Sequence, residues 1–177
     1  MLSQTVGAKK ESFLGNYGLD TATKLAVFLH TFPNREEFLK RYPLGEKLKR
    51  FLNLSIEGFQ VLKTLPSKGV KDLHEYLKRF SPYLYPIGVL AKIYGAYDRF
   101  ERVIHFYRRW KEYSKPLIGG REIIHLLGIK PSPLVGEILE KLVLAQLEGK
   151  VKTKKEAQEF VKNLLYAEKD KGGNPKE

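Results

Sequence analysis

The sequence predicts an all-α fold: an elongated multi-helix array with a small three-helix tail domain at its C-terminal end. Three observations carry this reading. Apolar residues recur at the three-and-four spacing of one helical face, prolines and glycines punctuate the segments, and no alternating strand pattern interrupts them. With 177 residues, 42% of them hydrophobic, the chain is long enough to bury a genuine core and too apolar to be disordered.

The first helix is expected from a cap at Asp20 or Thr21 through Leu25, Phe28 and Leu29, ending before Pro33. Asn34 with Glu37 has capping-box spacing and opens 35-REEFLKRY-42, which Pro43 closes. Leu44, Leu48, Phe51 and Leu52 share a helical face, and a separate segment, 56-IEGFQVLKTL-65, stops at Pro66. Ser67 is a candidate cap for 69-GVKDLHEYLKRF-80, with Val70, Leu73, Leu77 and Phe80 on one side. Ser81-Pro82 suits an N-cap followed by proline, and one long helix is expected from Ile87 to about Tyr113. Its rings Tyr94, Tyr97, Phe100, Phe106, Tyr107, Trp110 and Tyr113 interleave with Arg99, Arg102, Arg108, Arg109 and Lys111. Phe100 and Phe106 read as core. Arg108 and Arg109 read as phosphate ligands, because adjacent arginines do not both turn inward cheaply.

After Ser114-Lys115-Pro116 the punctuation sharpens. Gly120 precedes 121-REIIHLL-127, and Gly128 suits a left-handed C-terminal cap. Ser132 then precedes Pro133 as N-cap and first helical residue of a segment carrying Leu134, Val135, Ile138, Leu139, Leu142 and Leu147 up to Gly149. Thr153 with Glu156 forms a capping box for a last helix through about Glu168. These signals divide the chain into a helical body, 1–114, a helical tail domain, 115–169, and a disordered end, 170–177. The corner between Gly128 and Pro133 is a helix-turn-helix joint; the start of its second helix, with Lys130 beside it, offers the dipole end and backbone N–H groups that suit a phosphate.

Charge bounds the partners. Thirty-two Lys+Arg against twenty Asp+Glu leave +12, with a pI near 9.7, which favours a polyanion, nucleic acid first. Thermophile surfaces rich in Lys and Glu give the same bias without such a ligand. Splitting the chain after Phe100 leaves 16 Lys+Arg on each side, so the basicity is distributed. No apolar run approaches membrane-span length and MLSQTVGAKKESFLG has no signal-peptide core, so no membrane partner is expected and the cytoplasm is the expected location. Zero cysteines exclude disulfides, thiolate zinc sites and a thiol nucleophile. His30, His74, His105 and His125 are scattered; each reads as a satisfied surface or core histidine, His74 as a solvated neighbour of Asp72.

The run 117–161 resembles the C-terminal segment of the bacterial class II tRNA nucleotidyltransferase and poly(A) polymerase family. The likeness is carried by Gly120, Glu122 and Ile123, then Gly128, Pro131, Pro133, Gly136, Ile138 and Leu139, then Ala145, Leu147, Gly149, Thr153 and Glu156. Ser132 stands where the family has glycine, and Glu122-Ile123 where it has aspartate and leucine. Residues 1–114 match only in being helical. The resemblance implies an all-helical body and tail that grip the outer half of tRNA, from acceptor stem to T-arm. The catalytic head of such enzymes resembles other two-metal sites built on paired carboxylates. Here Asp20, Asp72, Asp98 and Asp170 form no Asp-x-Asp pair, so no catalytic residue, metal or cofactor is nominated. The expected function is noncatalytic RNA binding that supports CCA or A addition, with a catalytic nucleotidyltransferase chain acting in trans. Recognition would fall on Lys130, Arg121, Ser132, Arg108, Arg109, Lys152, Lys154 and Lys155. The alternative is a helical protein-interaction or assembly subunit with no RNA ligand.

Overall fold

The computed structural model describes residues 18–66 and 69–171, with side chains described as far as Leu164. The chain is all-α, and no strand occurs among the described residues. The helices are α1 (Leu19–His30), α2 (Arg35–Arg41), α3 (Glu46–Thr64), α4 (Val70–Phe80), a 3-10 turn (Ser81–Tyr83), α5 (Leu84–Ile93), α6 (Tyr97–Tyr113), α7 (Gly120–Leu127), α8 (Pro133–Leu147) and α9 (Lys154–Lys171). Two compact units divide within α6, between His105 and Phe106. The expected cap at Ser67 and residues 172–177 of the end expected to be disordered lie outside the described residues, while Asp170 and Lys171 of that end belong to α9.

The N-terminal unit is organised by α3, which buries Leu48, Phe51, Leu52, Ile56, Phe59 and Leu62 along one side and packs against α1 and α5. The two segments read separately at 44–52 and 56–65 are this one helix, because nothing between them breaks the periodicity. Glycine lets neighbours come close at two places. A side chain at Gly58 would meet Ile87 at 2.5 Å, and one at Gly88 would meet the Phe100 ring at 2.6 Å. The Tyr76 hydroxyl donates to the Gly58 carbonyl at 3.0 Å, and burial pushes that phenol well above its ordinary range. Arg99 donates to the Leu65 carbonyl at 2.9 Å, tying α6 to the end of α3.

Several local expectations change. The long helix expected over 87–113 is two helices, α5 and α6. Gly95 adopts φ +82, and Ala96 N–H bonds back to the Ala91 carbonyl at 2.9 Å, a glycine-terminated helix end. The first helix is capped at Gly18, not Asp20 or Thr21; Asp20 lies in its first turn, where a carboxylate suits the dipole. Asn34 does precede α2, but its side chain makes no cap hydrogen bond, so the capping box there is one of spacing only. His74 is buried, not solvated: it lies one helical turn before the buried Leu77 on α4. Phe100 is core as expected, while Phe106 is only half-buried.

The C-terminal unit has its own core of Ile118, Ile123, Val135, Ile138, Leu142, Ala145, Val151, Ala157 and Val161. Replacing Gly88 by alanine gains helix propensity of about 1 kcal/mol but forces a methyl into an aromatic ring, a clash that costs about 1–3 kcal/mol. Gly88→Ala is therefore expected to lower the urea midpoint at unchanged slope, by about 1 kcal/mol of stability.

Candidate nucleic-acid interface

The site proposed from the sequence lies in the C-terminal unit, and its scaffold is set by one buried amide. Gln146 of α8 is 2% exposed in a row of apolar neighbours. Its nitrogen donates to the Tyr113 carbonyl at 3.0 Å and the Lys115 carbonyl at 2.9 Å, and its oxygen accepts the Leu117 N–H at 3.0 Å. The irregular stretch leaving α6 is thereby fixed to α8, which defines where α7 begins. Sequence reasoning missed this residue. The available signal was a glutamine inside LVLAQL, because a polar side chain at a core position must find partners.

The corner forms as the glycine and prolines require. Gly128 takes φ 61 and ψ 30, and Ile129 N–H returns to the Ile124 carbonyl at 3.2 Å. Ser132 occupies the N-cap position in extended conformation, with Pro133 opening α8. The Ser132 side chain makes no cap hydrogen bond, and both Ser132 and Lys130 are exposed. Lys130 has no ion pair among the described residues. The start of α9 differs. Thr153 accepts Glu156 N–H at 3.2 Å, while the Glu156 carboxylate accepts Lys152 N–H at 2.7 Å, so the expected capping box is closed. That carboxylate titrates below its ordinary range, chiefly through the Lys152 N–H bond.

The remaining candidates are disposed unequally. Arg121, Lys152 and Lys155 are exposed and unpaired among the described residues. Lys154 is tied to Glu122 at 3.0 Å, and Gln158 donates to the same carboxylate at 2.9 Å. Glu122 thus clamps α7 to α9, its pKa lowered first by Gln158 and then by Lys154. Arg109 and Arg108 are exposed on α6. The Arg109 guanidinium lies over the α8–α9 turn, where a side chain at Gly149 would meet its Nη2 at 2.7 Å. The structure therefore brings Arg109 to the turn preceding Lys152, and Lys154 to the helix begun beside Arg121. No hydrogen bond or ion pair joins Lys130 or Ser132 to either group among the described residues. Among the rings that interleave with the arginines of α6, Tyr107 and Trp110 stack on each other at 6.0 Å.

Residues 20–161 match the family model described as tRNA nucleotidyltransferase domain 2, putative. The chain is 27% identical over 158 residues to a CC-adding tRNA nucleotidyltransferase of Synechocystis sp., covering 85% of this chain and 38% of that protein. A CC-adding enzyme of Thermus thermophilus is 47% identical over 79 residues, 45% of this chain and 17% of its own length. An A-adding enzyme of Deinococcus radiodurans is 39% identical over 72 residues, 41% of this chain and 16% of its own length. This chain thus spans less than two-fifths of the length of these relatives. No solved structure matches it. The family match runs through the helical body, where no motif in 1–114 had pointed to it.

Two measurements probe this scaffold. Gln146→Leu strands three backbone groups, and each unsatisfied buried group costs about 1–3 kcal/mol; solvent reaches part of this site, so a loss of about 2 kcal/mol in urea unfolding is expected. Glu122 and Glu156 are held below their unfolded pKa values, so their stabilisation is present above the ordinary carboxylate range and lost as pH falls through the folded values. Thermal melts from pH 6 down to about pH 3 should fall less steeply in Glu122→Gln than in the wild type.

Proposed function

The chain belongs to the tRNA nucleotidyltransferase domain 2 family, and from this premise we propose that it is the RNA-binding part of a tRNA 3′-end nucleotidyltransferase, working with a catalytic head supplied elsewhere. Its ligand is the acceptor and T-arm side of tRNA, held mainly by shape, phosphates and 2′-hydroxyls. The single observation that carries the reading is the corner in the C-terminal unit: Lys130 unpaired beside a helix start that no side chain caps, within a family whose named relatives add C or A to tRNA. Arg121, Lys152 and Lys155 supply further unpaired cations, with Arg108 and Arg109 on α6. Lys154 is a weaker candidate, since a phosphate would compete with Glu122 for it. No helix among the described residues is long and apolar enough to cross a membrane, and the cytoplasm is the location that goes with this reading.

A second reading, a helical protein-interaction subunit, draws on the exposed Phe28, Phe32, Tyr42, Ile93 and Tyr94 of the N-terminal unit. Titration of a tRNA transcript across KCl concentrations separates the two, because phosphate contacts give a steep salt dependence and an apolar protein surface gives none. Lys130→Ala is expected to weaken binding by about threefold to tenfold and to reduce the log–log salt slope by about one. Unchanged affinity and slope remove Lys130 from the interface. Absence of binding above background in the wild type removes the RNA reading altogether.

A further inference from the structure

We infer that a cationic groove on the N-terminal unit is a second docking site for an RNA phosphodiester backbone, one that no sequence motif marks. The inference rests on the proposed function in taking RNA as the ligand, and adds a site to it. A groove of about 1120 Å³ lies among α2, α3, α4 and the 3-10 turn. Six Lys and Arg side chains line it against three glutamates. Two of those glutamates are already engaged, Glu46 with Lys49 at 3.4 Å and Glu57 with Arg79 at 2.7 Å. Arg35, Lys40 and Arg50 form no ion pair among the described residues, and of the groove's carboxylates Glu36 alone is likewise uncommitted, so the uncommitted charge is positive on balance.

A second cavity of about 620 Å³ shares Arg35, Glu36, Lys40 and Gln60 with the groove and extends it toward Phe32, Asn34 and His30, with Glu37 also in its lining. Two buried nitrogens bordering this extension, Arg35 Nε and His30 Nδ1, have no hydrogen-bond partner. Native proteins rarely leave a buried guanidinium N–H unmatched, and one that borders a cavity is met by whatever occupies it. Phe32 is 37% exposed and offers a ring, while the Asn34 and Gln60 amides can meet base edges. Cations that hold phosphate, a ring that stacks and amides that hydrogen-bond are what a polynucleotide engages together. An acidic peptide engages the cations and the amides but brings no base to stack on the ring.

Lys40 and Arg50 are exposed, so replacing them leaves the core intact. The test titrates a fluorescent tRNA transcript and, separately, poly-glutamate against the full chain, Lys40→Ala with Arg50→Ala, the charge-keeping Lys40→Arg with Arg50→Lys, and Lys130→Ala. The alanine pair is expected to bind tRNA about tenfold more weakly with a salt slope lower by about two, and the charge-keeping pair to stay within about twofold of wild type. Wild-type affinity in the alanine pair, with loss in Lys130→Ala, overturns the groove and leaves the corner standing. Loss in the alanine pair with no effect of Lys130→Ala does the reverse. Failure of the wild type to bind tRNA overturns both, and poly-glutamate bound as tightly as tRNA and lost in the alanine pair overturns the nucleic-acid assignment of the groove.

Discussion

The C-terminal unit depends on the three hydrogen bonds of Gln146. A chain leaving a helix has carbonyls without intrahelical partners, and in an irregular stretch they have no regular ladder to join. Gln146 supplies both a donor and an acceptor from the last turn of α8, so one side chain takes the place of a short ladder for residues 113–117. With that stretch fixed, Ile118 and Ile123 enter the core and α7 is placed against α8 and α9. The Gly128 corner is therefore held from both sides: by its own left-handed residue and by the amide that fixes the preceding helix.

The electrostatics follow from how the carboxylates are used. The net charge of +12 is global, but fixed geometry selects which cations remain available. Glu122 takes Lys154, Glu57 takes Arg79 and Glu46 takes Lys49, whereas Lys130, Lys40 and Arg50 form no ion pair among the described residues. Exposed pairs of this kind add little stability. Their effect here is to sort equivalent-looking lysines and arginines into those that brace helices and those free for an anion.

What the sequence made legible was whatever is local. Gly128, Pro133 and the Thr153–Glu156 cap act over a few residues, and the structure has each in its expected place. Gly95 was equally local but lay inside a run of helix-forming aromatics and arginines, and periodicity alone carried the expected helix through it. The misplaced features depend on distant partners. His74 is buried by packing that its neighbour Asp72 does not reveal, Arg99 is consumed by a carbonyl 34 residues away, and Gln146 reaches 29–33 residues back. The groove on the N-terminal unit was invisible for the same reason, since its walls come from α2, α3 and α4 and no single segment carries an unusual charge.

The two helix starts flanking α8 and α9 are unlike in one further respect. At Thr153 the backbone is saturated from within, whereas at Ser132 the hydroxyl and the adjoining turn are left to solvent. A docking group at the second place therefore exchanges with water instead of adding bonds to a vacant surface. Its advantage over water is one of fixed direction and liberated counterions, and a rigid joint between prolines is suited to supplying direction.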